Sequence, residues 1–385
     1  MNYENQPAAK EASAGCKIKA FLKKIKETVP IYLYICIAIF AASMAAYFVM
    51  KQNVAFADFL NGTVSHWIRS ILTWIFNVFP FSFIEMLLIT SPILAIALVF
   101  LAVRVAKKSI RHTVRFVCIM LSVAFIVLSV FFIGYEPSFY GTSIEKNTGI
   151  ARNKLSAEDL RDASMILQAL AEKELESVWF VSSGASVCSY DFSELNEKML
   201  DAYDKFCEKY GAYNNMSSKF KPVILSEPWT YTHISGMYSF ITGEANINVN
   251  YPDFIMVTTV AHEMAHQRGI GKEDEADFAS FLVCSESDDP YIRYCGYVEM
   301  YRMVVGKLYG ANRDYWTEVK RGEDERITAE LSAFSSFFDK YRENVAAKVS
   351  DTVNNAFIQS HNQPAGVKSY GLVTDLVVNY LLDKK

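Results

Sequence analysis

Histidine is scarce in this 385-residue chain, with six in all, and so is any excess of one charge: 38 lysines and arginines stand against 42 acidic residues, for a net charge of −4. That near balance gives no support to a nucleic-acid partner, which would call for a broadly basic surface. The seven cysteines form no C-x-x-C pair, so neither a thiolate metal site nor a redox pair of that kind is expected. Internal repeats and low-complexity linkers are absent. A cleaved signal peptide is not expected either, because the first apolar stretch starts late, runs for 22 residues and lacks a clear small-x-small cleavage site.

Apolar side chains, by contrast, are plentiful: 51% of the chain is hydrophobic, with 27 Phe and 22 Tyr, and the excess lies in the first 135 residues. Val29–Met50 and Phe116–Gly134 contain no charged residue, and Met86–Val103 is equally clean behind Glu85. Each reaches the roughly 18–20 residues that cross a bilayer. Spans are therefore expected over about 29–50, 84–103 and 116–134, within a membrane region from 29 to 135. A basic tail over 1–28 carries Lys10, Lys17, Lys19, Lys23, Lys24 and Lys26, and the second connecting loop carries Arg104, Lys107, Lys108, Arg111 and Arg115. Both should face the cytoplasm, leaving 136–385 as an extracytoplasmic domain of a multi-pass plasma-membrane protein. The stretch from His66 to Phe76 is too interrupted to cross; it reads either as a helix along the outer interface or as a partly re-entrant packing helix.

Residues 136–385 have an ordinary globular composition and read as mainly helical with a small β-sheet. Ser156 should cap a helix reaching about Leu175, and similar spacing runs from Ser193 to Tyr210 and from Thr328 to Val349. Between Phe240 and Asn250, Ile247 and Val249 alternate with Asn246, Asn248 and Asn250, which predicts a strand with one wet face. Cys188, Cys207, Cys284 and Cys295 permit one or two disulfides whose pairing spacing cannot decide, whereas Cys16, Cys36 and Cys118 read as small apolar fillers.

The densest chemistry is His262-Glu263-Met264-Ala265-His266, followed by Glu273-Asp274-Glu275-Ala276-Asp277. Positions i and i+4 of a helix share a face, so His262 and His266 can offer imidazole nitrogens to one Zn²⁺ while Glu263 stands beside the open coordination position as a general base. Gly269 and Gly271 then break the helix, and Lys272, a cation, occupies the position six after His266. A third protein ligand, if there is one, must be Glu273 or Glu275.

This layout resembles a gluzincin. The resemblance implies that Glu273 is the third metal ligand and that Asp277 holds a ligand histidine from behind. It implies further that the run Gly243, Glu244, Ala245 and Asn246 belongs to an edge strand on which an extended substrate pairs. The separation of His266 from Glu273 by six residues is shorter than in most gluzincins, so the connecting turn must be tight.

Gly243 to Asn246, His262 to Gly269, Glu273 to Phe278, Arg293 to Tyr297 and Gly366 to Gly371 together resemble an uncharacterised family of bacterial polytopic membrane proteins, with Asp277 standing where relatives commonly have Asn. The resemblance covers most of the chain and implies an α+β, zincin-like metallopeptidase domain behind a three-helix membrane region. Its substrate would be a peptide or protein and its other neighbour the lipid bilayer; neither the substrate nor the oligomeric state comes with it. Candidate partners for the oxyanion are Tyr294, Tyr297, Tyr370 and His233. The rival expectation is a non-enzymatic membrane sensor or scaffold with a structural or vestigial zinc site. An intramembrane protease is disfavoured, since Thr258, Thr259, Gln267 and Arg268 are too polar for lipid.

Overall fold

The computed structural model describes residues 27–150, 152–211, 213–342 and 344–383. The six lysines of the basic tail and Cys16 lie outside the described residues. The chain is mostly helical with one small sheet, and it divides into two compact units, Met1–Ala46 with Met86–Phe132 and Tyr47–Glu85 with Ile133–Lys385.

Three helices are long and apolar enough to cross a membrane: α1 (Ile31–Met50), α4 (Phe83–Ala106) and α5 (Ile110–Val130), the last continuing through a π turn and a 3-10 turn to Phe139. Helix α5 begins six residues earlier than the charge-free run suggested. Ser109 caps it, so Arg111 and Arg115 sit in its first turns rather than in a loop. Within the first unit, Phe40 packs on Phe125 and Phe132 at ring separations of 5.2 and 6.2 Å. Proline at position 92 of α4 cannot donate to the Leu88 carbonyl; the Ser91 hydroxyl supplies that bond instead, at 2.8 Å.

The second unit includes the segment 47–85, which the sequence assigns to the membrane region. Its short helices are α2 (Val54–Leu60) and α3 (His66–Phe76). Helix α3 is amphipathic in an inverted sense: Trp67, Ile71 and Trp74 are exposed, while Arg69 and Thr73 are buried and donate to the carbonyls of Gly134 and Gly243. This is the arrangement expected of a helix lying at an apolar interface with its polar face turned to protein.

The rest of this unit is built from α6 (Ala157–Glu174), α7 (Phe192–Tyr210), α8 (Asp253–Gln267), α9 (Glu273–Glu286), α10 (Pro290–Ala311), α11 (Arg313–Arg321), α12 (Glu325–Asp339), α13 (Val345–Ser360) and α14 (Val373–Asp383). Ser156 and Asp159 form a reciprocal capping box at the start of α6, as the sequence signals. The single helix expected from Thr328 to Val349 is two, because Asn344 accepts the Ala347 N–H and starts α13 afresh. All six cysteines among the described residues are free, so the permitted disulfides do not form there.

The sheet has the order β1-β3-β2, from β1 (Phe220–Pro222), β2 (Gly236–Ser239) and β3 (Glu244–Ile247), with β1 parallel and β2 antiparallel to β3. The run Gly243 to Asn246 is therefore not an edge strand. Residues Glu244 to Ile247 are the central strand and are buried throughout; the edges are β1 and β2. The expected wet face is a buried polar one. Glu244 accepts the N–H groups of Phe83 and Ile84, and Asn246 accepts the Ser82 hydroxyl, so the strand supplies an anion and an anchor to the N-terminus of α4.

Replacing Glu244 by Ala leaves those two N–H groups without an acceptor and should lower stability by about 2 kcal/mol; E244Q should lose less. Urea unfolding of both variants in detergent checks the order, and equal losses would show that the charge contributes nothing.

Candidate metal site

Helix α8 is buried along nearly its whole length and ends in a turn that the local sequence dictates. Gly269 adopts φ +88°, and the Ile270 N–H reaches back to the Ala265 carbonyl at 3.1 Å, closing the helix with a left-handed glycine. A Cβ at Gly269 would lie 2.5 Å from Asn61 Oδ1 and 2.6 Å from Arg69 Nη2, so the position has no room for a side chain. This closure lets α9 start at Glu273 after only six residues and brings its first turn against the last turn of α8.

Three lone-pair atoms converge there. His262 Nε2 lies 3.1 Å from His266 Nε2 and 3.2 Å from Glu273 Oε2, and the His266–Glu273 separation is 3.6 Å. Ligands about 2.1 Å from a tetrahedral ion stand about 3.4 Å apart, so the triangle fits a small divalent cation. Both remaining ring nitrogens are occupied: His262 Nδ1 faces Asp277 Oδ1 at 2.7 Å, and His266 Nδ1 faces the Ile270 carbonyl at 2.7 Å. With Nδ1–H donated in each ring, both Nε2 atoms present lone pairs, and a carboxylate oxygen joins them. Three such atoms so close together could hold a metal ion, or share protons in its absence. Gln363 accepts the Glu273 N–H at 2.9 Å and fixes the start of α9.

The charges agree with the geometry. Burial works against charge on His262 and His266, yet Asp277 and Glu273 outweigh it and raise both rings above the usual histidine value. Burial also opposes charge on Glu273, but the two imidazoles hold it well below the usual carboxylate range. Glu263 is pushed up, chiefly by burial, with the histidines opposing. One of its oxygens, Oε2, is buried without a hydrogen-bond partner. Gly236, on edge strand β2, lies so close that a Cβ there would come within 2.6 Å of Glu263 Oε1 and of Thr259. The Tyr238 backbone N–H, on the same strand, also serves Glu263.

The other sequence candidates separate clearly. Glu275 binds Lys272 at 2.6 Å and the Ile144 N–H, which leaves Glu273 as the carboxylate of the cluster. Tyr370 stands over the site, its ring 6.5 Å from that of His262. Tyr294 and Tyr297 do not join it: Tyr294 donates to Glu330 in a fully buried network, and Tyr297 packs on Phe281. His233 is occupied by the Tyr341 carbonyl. Gly243, Glu244, Ala245 and Asn246 serve the sheet and α4, as described above. Sequence reasoning missed Gly236, Tyr238 and Gln363. Tyr238 stands 6.4 Å from the His266 ring and 5.9 Å from Tyr135. None carries a motif, and each reaches the site from a distant part of the chain.

The fold and site thus define a mainly helical protein with three apolar helices of membrane-crossing length and a buried His-His-Glu cluster able to hold a metal ion. Residues 61–378 match the family described as protein of unknown function (DUF3810), and the chain belongs to that family. No curated protein and no solved structure matches it.

Elemental analysis of the purified full chain should find about one divalent transition-metal ion per molecule. Glu273→Ala should lose it and Glu275→Ala keep it; loss in both, or in neither, would overturn the ligand assignment. Protons compete for the same nitrogens, so retention should fail as pH drops into and below the histidine range.

Proposed function

We propose that this protein is a membrane-anchored, zinc-dependent peptidase of gluzincin type, acting outside the cytoplasm. The observation that carries the reading is the pairing of a three-acceptor cluster with an adjacent buried carboxylate oxygen, Glu263 Oε2, that has no structural partner. A structural metal site would have no use for that carboxylate. A zinc ion held by His262, His266 and Glu273 would supply a Lewis acid that polarises the substrate carbonyl and acidifies a water.

The chain's own residues supply the rest. Glu263 takes a proton from the attacking water and returns it to the departing amine, a task suited by a carboxyl raised above its ordinary value. Asp277 and the Ile270 carbonyl hold the two imidazoles in one tautomer and one orientation. Edge strand β2 runs beside Glu263, and an extended peptide laid along it would bring a carbonyl towards the site. Gly236 keeps that approach free. Of Tyr294, Tyr297 and Tyr370, Tyr370 has its ring beside the cluster and is the candidate donor to a developing oxyanion. The basic residues Arg104, Lys107, Lys108, Arg111 and Arg115 at the α4–α5 turn favour a cytoplasmic location for that turn, which puts 136–385 on the opposite side.

With a peptide library and the detergent-solubilised chain, Glu263→Gln should reduce cleavage by about 10²–10⁴-fold while metal content stays unchanged. Gly236→Ala should also retain metal but crowd Glu263 and the strand edge, depressing kcat/KM. A metal-loaded wild type that cleaves nothing, with Glu263→Gln indistinguishable from it, would leave a structural metal site in a membrane scaffold.

A further inference from the structure

A polar cavity of about 260 Å³ lies on the far side of the α8–α9 turn, walled by Arg268, Gly269 and Ile270 and by His66, Arg69 and Asn61 from the segment before α4. Exposed Asp58 and Gly62 stand at its surface end. Two acids, Asp58 and Glu275, and two guanidinium groups, Arg69 and Arg268, line it without pairing with one another. The acids that line it are already engaged: Asp58 accepts the Thr142 N–H and hydroxyl, and Glu275 accepts Lys272 and the Ile144 N–H. The guanidinium groups have neutral partners only. Arg69 is 2% exposed and donates only to the Gly134 and Asn61 carbonyls, and its Nε has no partner. Arg268, also 2% exposed, spends its donors on Asn215 and two carbonyls and lies over the Tyr203 ring. Neither has a carboxylate within ion-pair distance among the described residues.

His66 joins them, with a buried Nδ1 that also has no partner. His66, Arg69 and Arg268 all line the cavity, and burial, then the two guanidinium groups, lowers the His66 pKa. Burial pushes Arg69 itself down only to about 10, so it remains charged at neutral pH. A buried cation with neither a counter-charge nor a full set of acceptors is costly, and an anion would supply both.

We propose that this cavity is a binding site for a small tetrahedral oxyanion of the phosphate class, held by Arg69 and His66 with Arg268 adding charge from behind. The cavity volume suits a phosphate group with a short appendage. Planar, multi-donor guanidinium groups are the side chains best matched to such oxygens. The anion comes either free from solution or as the headgroup of an anionic lipid, the second source being compatible with the exposed apolar face of α3 opposite His66 and Arg69. The site uses none of the cluster residues His262, His266 and Glu273, and the proposal does not rest on the proposed hydrolysis.

The test is equilibrium dialysis of the full-length protein with radiolabelled inorganic phosphate, at constant ionic strength in sodium chloride, in phosphate-free non-ionic detergent and in nanodiscs with and without phosphatidylglycerol. Saturable binding is expected, weakened about tenfold or more by Arg69→Gln. Since Arg69 also ties Gly134 and Asn61 together, His66→Ala, which breaks no comparable bond, is measured beside it and should weaken binding as well. Phosphate bound equally in all three environments identifies the free anion; competitive displacement by phosphatidylglycerol identifies the headgroup. No saturable binding in any environment, or affinity unchanged in both variants, overturns the proposal.

Discussion

Two imidazole Nε2 atoms 3.1 Å apart, each on a ring whose other nitrogen is already committed, form the constraint on which the second unit depends. Lone pairs at that distance in a buried setting repel unless a positive charge lies between them. The surrounding structure holds them there regardless. Asp277 comes from α9, the Ile270 carbonyl from the turn, and Gln363 from the segment after α13 secures the N–H of Glu273. Remove the turn's left-handed glycine and the first turn of α9 no longer meets the last turn of α8. The length of the connection, six residues, follows from that closure.

The same reasoning explains why the central strand is polar on one face. A short strand between two neighbours has its backbone satisfied, so its side chains are free to serve other elements. Glu244 and Asn246 do so by capping the start of α4, and the Gly243 carbonyl accepts from both Thr73 and Gln267. The strand thereby ties α3, the first turn of α4 and the C-terminal turn of α8 into one hydrogen-bonded network. The network explains why residues 47–85 fold with the C-terminal unit despite their apolar composition. In α3 the polar Arg69 and Thr73 point inward, and Trp67, Ile71 and Trp74 point outward.

What could be read from the sequence was whatever local physics fixes. Ser156 with Asp159 announces a helix start, charge-free runs announce long apolar helices, and two histidines four apart followed by an acidic first turn announce a cluster. What could not be read depends on partners far along the chain. The asparagines around Ile247 look like a solvated face because nothing local reveals that Ser82 waits 164 residues away. The aromatic run at Tyr294 and Tyr297 carries no signal separating a catalytic hydroxyl from one buried against Glu330. Gly236 could have been suspected only by asking which glycine a closely packed carboxylate would require, and that question needs the strand order first.

The turn from Arg268 to Ile270 has two faces. One presents the Ile270 carbonyl to His266; the other forms a wall of the polar cavity and lies against Asn61 and Arg69. Asn61 donates to the Gly269 carbonyl at 2.8 Å, so a shift of the Asn61–Arg69 pair would be felt in the residue adjoining the one that orients a cluster imidazole. A buried guanidinium without a carboxylate is a weak foundation for such a wall, since its desolvation cost is offset only by carbonyl acceptors. An oxyanion drawn to Arg69 and His66 removes that deficit and stiffens the turn at once. The cavity wall and the carbonyl that orients a cluster imidazole thus belong to three consecutive residues, and any influence of one site on the other would have to pass through the backbone of that turn.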